Sequence, residues 1–171
     1  MKRYFVTLLM AMMAVVGMNA SALKVLSGSL DVLKEQANAT YEVDFSNTRW
    51  EKKQDFKPWC GEDYNTRIES MTTEFKTSFN NFSKGLQIAD TDPKYKVVFR
   101  VDNFERKQGM GMWGSCYIKV YGTIDVINLS DNSTALSVEV KGQGGDTDFV
   151  ENDRFPKTIY SLCKELFKIK K

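Results

Sequence analysis

No histidine occurs anywhere in the 171 residues. That absence removes every Ser-His and Cys-His nucleophilic arrangement and leaves nothing to complete a Cys/His zinc set. Cysteine is scarce as well. Cys60, Cys116 and Cys163 are the whole complement; their spacings match no zinc motif, and an odd count keeps at least one thiol out of any intramolecular disulfide. Long apolar runs are missing except for residues 4–18, and that run falls short of the ~20 residues a membrane-spanning helix needs. It follows Lys2 and Arg3 and precedes Ala20-Ser21-Ala22, the small residues that a signal peptidase reads, so residues 1–22 are expected to be a signal peptide cleaved after Ala22. No cysteine lies near that site to carry a lipid anchor. An excess of one charge is also lacking. Lys2 and Arg3 take two of the 24 basic residues away, which leaves 22 against 22 acidic ones. A mature chain without net charge has no global field to gather nucleic acid or an anionic surface. Without repeats, linkers or composition breaks, residues 23–171 read as one domain, soluble and outside the cytoplasm, with room for a sizeable core.

What the sequence does contain is alternation. Tyr95, Val97, Phe99 and Val101 share one face of a strand; Cys116, Ile118, Val120, Gly122, Ile124 and Val126 share one face of the next; Leu136, Val138 and Val140 share one face of a third. Asn128, Ser130, Asp131, Asn132 and Ser133 supply the turn between the second and third. Tyr41, Val43 and Phe45 mark an earlier strand, and residues 23–33 a weak edge strand. Residues 63–84 read as a helix with the stripe Tyr64, Ile68, Met71, Phe75, Phe79 and Phe82, entered at Asp63 and stopped at Gly85. A second helix runs from about Asp153, where Pro156 fits its first turn, with Ile159, Leu162, Cys163, Leu166 and Phe167 on its buried side. The order (β)β-α-β-β-β-α predicts an α/β (α+β) fold: a two-layer sandwich whose mixed sheet of four to five strands carries both helices on one face. The strand-helix-strand crossover should be right-handed.

This topology brings three connections to one end: residues 46–62, 103–115 and 142–152. They hold Trp50, Trp59 and Trp113, every tryptophan of the chain. Trp50, Trp59, Met110, Met112 and Trp113 are therefore the partner-binding candidates, with a loop that folds back to cap the core as the structural alternative. Cys60 and Cys116 reach the same end, and the export route permits a disulfide between them, though spacing alone does not establish connectivity.

Three chemical motifs reduce to simpler readings. Gly109, Gly111 and Gly114 spell GxGxxG, but a strand follows where a dinucleotide site needs a helix N-terminus, so the glycines serve a hairpin connection. Asp146, Asp148, Glu151 and Asp153 lack the spacing of a calcium loop and suit the start of a helix instead. A hydrolytic carboxylate pair, Asp146 with Asp44 or Glu62, is open to the chain in principle, but nothing selects it. No metal or cofactor is expected.

The run 95–171, with its Y-x-V-x-F-x-V strand, Gly-rich connection, V-x-G-T-I-x-V strand, V-E-V-x-G-x-G-G-D ending and closing amphipathic helix, resembles uncharacterised secreted proteins of Bacteroidetes. The segment Val43-Asp-Phe-Ser-Asn-Thr extends that likeness over nearly the whole mature chain. More remotely, the sheet and two helices are similar to domains of unknown function in envelope lipoproteins, to the amino-terminal domain of the Tol-Pal protein TolB and to the curli-secretion lipoprotein fold. The resemblance implies an envelope assembly or interaction module, not an enzyme. The expectation is a periplasmic or secreted protein that binds an envelope protein or other envelope component, with a carboxylate hydrolase or a subunit assembling through a sheet edge as alternatives.

Overall fold

The computed structural model describes residues 22–108, 116–145 and 151–169, with backbone alone for 151–153. The chain is mixed α/β. It runs through β1 (Leu23–Gly28), a 3-10 turn at Leu30–Lys34, β2 (Asn38–Asp44), β3 (Arg49–Trp50), β4 (Gln54–Asp55) and the short α1 (Phe56–Cys60). A 3-10 turn at Gly61–Asp63 leads into α2 (Tyr64–Phe82), followed by β5 (Gln87–Ile88), β6 (Pro93–Gln108), β7 (Cys116–Asn128), β8 (Thr134–Gly144) and α3 (Glu151–Leu166). All eight strands join one sheet in the order β1-β8-β7-β6-β2-β5, with β3 beside β6 and β4 beside β3. The four or five strands expected from alternation become eight because β3, β4 and β5 have two residues each, too few to show a period of two.

β6, β7 and β8 form an antiparallel meander, β2 lies parallel to β6, and β1 closes one edge against β8. The alternation seen in the sequence holds along β6 as far as Val101. There Val101 pairs with Gly122 and Asn103 with Tyr121, so Asp102 is the extra residue of a bulge. The phase shifts by one, and Phe104 turns into the core fully buried. A second bulge at Gly142, φ +82°, does the same for β8; a Cβ there would stand 2.8 Å from the Tyr121 ring, in a backbone region that disfavours side chains.

The apolar stripes of the helices cover one face of this sheet. Met71, Phe75 and Phe79 of α2 are fully buried, and Phe75 stacks on Phe99 with centroids 5.4 Å apart. From α3, Phe155, Ile159, Leu162, Cys163 and Leu166 are buried, and the Thr158 hydroxyl donates to the Ile118 carbonyl at 3.1 Å. Each such apolar side chain contributes about 1.5–3 kcal/mol on leaving water. The opposite face is polar, with Lys96–Glu42 at 2.6 Å, Lys141–Glu139 at 3.2 Å and an Arg100–Asp125 pair.

Three local expectations are corrected. Asp63 makes no capping bond, because a 3-10 turn already leads the chain into α2 and its carboxylate accepts from Arg67 instead. α2 ends at the Ser83 cap rather than at Gly85. α3 begins at Glu151, two residues ahead of Asp153, so Pro156 falls in its second turn.

Candidate functional site

The end of the molecule where β6 finishes is built around aromatic rings. The Thr48 hydroxyl, buried, donates to the Val101 carbonyl at 2.6 Å and fixes the chain alongside β6. β3 then pairs Trp50 with Phe104. The turn after it carries Glu51 and Lys52 at φ +52° and +60°, held by Glu51 N–H to the Phe104 carbonyl at 2.7 Å and Lys52 N–H to Asn103 Oδ1 at 2.8 Å. The bulge at Asp102 thus aims Asn103 at this turn and Phe104 at the rings beneath it.

Trp50 is 4% exposed and stacks on Trp59, with centroids 3.8 Å apart and planes 15° from parallel. Phe56 touches Trp59, Phe104 and Phe155 at 5.7, 5.0 and 5.5 Å, and Phe104 meets Phe155 edge-on at 5.1 Å. The Arg67 guanidinium lies 5.4 Å from the Trp59 ring and 5.3 Å from that of Phe155. Among the described residues its Nε and Nη1 are buried without a hydrogen-bond acceptor, while Nη2 reaches Asp63 at 3.4 Å, so the ring faces receive much of this cation.

The structure therefore corrects the placement of two candidates. Trp50 is core, not surface, because β3 and α1 fold residues 46–62 back onto the sheet; Trp59 is half-buried against it. Met110, Met112 and Trp113 lie outside the described residues. Cys60, Cys116 and Cys163, the first two considered for a possible disulfide, are free thiols in this structure. Cys60 is buried within α1, whereas Cys116 opens β7 opposite Gln108, four positions beyond the pairing of β6 with Trp50. Burial pushes the Cys60 thiol up to about 11 and raises that of Cys163 further, so neither supplies a ready thiolate.

Beyond the aromatic layer, β6 and β7 stay paired with each other to the end of the described residues. Arg106 pairs with Ile118, Lys107 with Tyr117 and Gln108 with Cys116, although β3 has ended opposite Phe104 and the β8 pairing opposite Lys119. Glu105 anchors the base of this strand pair. Its carboxylate accepts from the Tyr121 hydroxyl at 2.9 Å and pairs with Lys107 at 2.9 Å and Lys52 at 3.5 Å. Burial works to raise the Glu105 pKa, but the bonds from Lys107 and Tyr121 outweigh it and the net direction is down. Burial first, and then the bond to Glu105, lifts the Tyr121 phenol to about 12.

For hydrolytic chemistry the arrangement offers little. Asp44 accepts the Ser46 N–H at 2.8 Å as a turn cap, and this bonding lowers its pKa. Glu62 is exposed, and Asp146 lies outside the described residues, as do the side chains of Asp148, Glu151 and Asp153. Among the described residues no group of three His, Cys, Asp or Glu side chains could hold a metal ion, and no helix is long and apolar enough to cross a membrane.

No protein-family model matches the chain, and no curated protein matches it. Solved structures show a remote likeness. The PelC dodecamer from Paraburkholderia phytofirmans is 13% identical, with 83% of this chain and 96% of that one covered at a TM-score of 0.45. A Xanthomonas campestris protein of the DUF330 family is 12% identical over 78% of this chain and 81% of its own, with a TM-score of 0.41. A Helicobacter pylori homologue of a neuraminyllactose-binding hemagglutinin is 5% identical over 80% and 87%, at 0.38. Similarity at this level transfers neither activity nor partner.

Proposed function

We propose that the protein is a non-enzymatic module, exported after removal of residues 1–22, that binds an envelope component through the tip of the β6–β7 ribbon. The observation that supports this reading is the end of β6 and β7, whose last two pairs, Lys107–Tyr117 and Gln108–Cys116, lie beyond the strand pairings of β3 and β8 among the described residues. Its connection contains Met110, Met112 and Trp113, residue types that make adaptable, aromatic-anchored contacts. The rings of Trp50, Trp59, Phe56, Phe104 and Phe155 pack together at the level of β6 where Phe104 stands. A pre-ordered base reduces the entropy lost when a presented hairpin engages its partner.

Site-specific photo-crosslinking in cells tests the reading. A photoreactive residue at position 112 should give a discrete adduct that disappears when Met110→Ser and Trp113→Ser are added to the same protein at unchanged melting temperature. An equal adduct from position 131, in the turn joining β7 to β8 at the other end of the sheet, would overturn it.

A further inference from the structure

We infer that the two edges of the sheet are complementary and that the chain assembles head to tail with further copies of itself, β1 of one copy adding to the open segment of β2 in the next. The observation is a gap in the outermost column of the sheet. Beside β2 that column holds β5, which pairs with Asn38 and Ala39, and beside β3 it holds β4, which pairs with Arg49 and Trp50. Between them, residues 40–44 have β6 as their one paired strand among the described residues. The Ala39 carbonyl accepts from Ala89 N–H on the β5 side, so alternation turns the amide groups of Tyr41 and Val43 the same way, outwards. At β5 itself the edge is closed by a side chain. Asn80 of α2 accepts from the Ile88 N–H at 2.7 Å and donates to the Ile88 carbonyl at 2.9 Å. No such cap covers Tyr41 or Val43 among the described residues, and an open backbone edge is a template for a further strand.

The far edge matches it. Lys141 N–H donates to the Ala22 carbonyl at 2.6 Å, so alternation turns the amide groups of Lys24 towards β8 and those of Val25 outwards. Followed from strand to strand, Val25 shares a row with Val138, Ile124, Phe99 and Val43, and Lys24 shares the next row with Glu139, Thr123, Arg100 and Asp44. The same pairings make β1 antiparallel to β2. A second copy set beside the first with its rows continued therefore satisfies backbone, packing and charge together. Its Val25 and the first copy's Val43 turn backbone donors and acceptors towards each other, and both side chains stand on the helix-covered face. Its exposed Lys24 comes opposite Asp44 on the open face, a cross-strand pair of opposite charge. Pairing β2 with another β2 would instead set Glu42 and Asp44 against like charges, which selects β1 as the occupant. Because the two edges differ, every assembled pair keeps one of each free, and growth continues past the dimer to a ring or a filament.

Sedimentation of the purified exported protein from ~10 μM to ~1 mM, the range suited to a narrow contact, should show species larger than a dimer that grow with concentration. Val43→Pro removes an outward N–H that bonds nothing within its own copy, a change an edge strand tolerates, and should weaken the association about tenfold or more. Cysteine linking reads the register without relying on that variant. Ser27 and Glu42 are both exposed and share the row through Ser137, Asp125 and Val98. With Cys116→Ser in both, a mixture of Ser27→Cys chains and Glu42→Cys chains should give a 27-to-42 disulfide on mild oxidation, and neither chain alone should give a dimer. A monomer at every concentration, assembly that stops at the dimer, association untouched by Val43→Pro in a folded variant, or links from 27 to 27 or 42 to 42 would each overturn the inference. Because substitutions at the hairpin tip leave this assembly unaffected, its failure is distinguishable from failure of the proposed partner site.

Discussion

Trp50 looks, in the sequence, like a residue offered to a partner, yet its indole is sealed between Trp59 and Phe155. Trp50→Ala should therefore cost about 3–5 kcal/mol of stability, as large aromatic truncations in cores do, measured by urea denaturation. A change below 1 kcal/mol would place the indole at the surface after all. Tyr121 and Cys60 give the fold a pH limit on the alkaline side. Their neutral forms are favoured when folded, with pKa values raised from 10.0 to about 12 and from 9.0 to about 11. Their contribution is full below about pH 9 and is lost as pH climbs through 11 to 12. Tyr121→Phe should flatten the part of that loss above pH 10 in thermal melts recorded from pH 8 to 12. Glu105 acts in the other direction: its depressed pKa adds stability that fades only as the solution becomes acidic.

The turn between β3 and β4 places two side-chain-bearing residues, Glu51 and Lys52, in the left-handed region, a pattern that Asn-Gly adopts more readily. Glu51→Asn with Lys52→Gly should stabilise the protein by roughly 0.5–1 kcal/mol, visible as a raised urea midpoint at unchanged slope. A lowered midpoint would mean that the Lys52 contact with Glu105 outweighs the backbone strain. Strong periodicity made the long elements readable from residues alone. The stripe Met71, Phe75 and Phe79 and the inner rows of β6, β7 from Ile118 onward and β8 are buried as their spacing requires, while Cys116 is half-buried. Residues 46–62 were opaque for the opposite reason. β3 and β4 are held by tertiary bonds from Thr48 and Asn103 rather than by a local pattern, and nothing near Asp102 in the sequence announces the bulge that redirects Phe104.

Across the molecule, protection should be uneven. Amide exchange is expected to be slowest at Val97–Phe99 and Ile124, enclosed by paired strands and by Phe75, and orders of magnitude faster at Lys107 and Gln108, where β7 is the one paired strand among the described residues. Uniform protection along β6 would contradict the ribbon. The candidate site was legible as a place, since the hairpin end does collect Trp50 and Trp59, but its interior was not: Arg67 reads as an ordinary surface charge on α2 until Trp59 and Phe155 are seen on either side of it. The sheet order has a further consequence, in time rather than in space. β1 is the first strand in chain order, yet among the described residues it pairs with β8 alone, so Leu23 must wait for Val140. The β6-β7-β8 meander can form from neighbouring segments, whereas β1 closes a loop spanning most of the chain and meets the slow step that distant pairings impose. Until β1 docks, the edge of β8 stays open, and it is there that a folding chain would expose unpaired backbone longest.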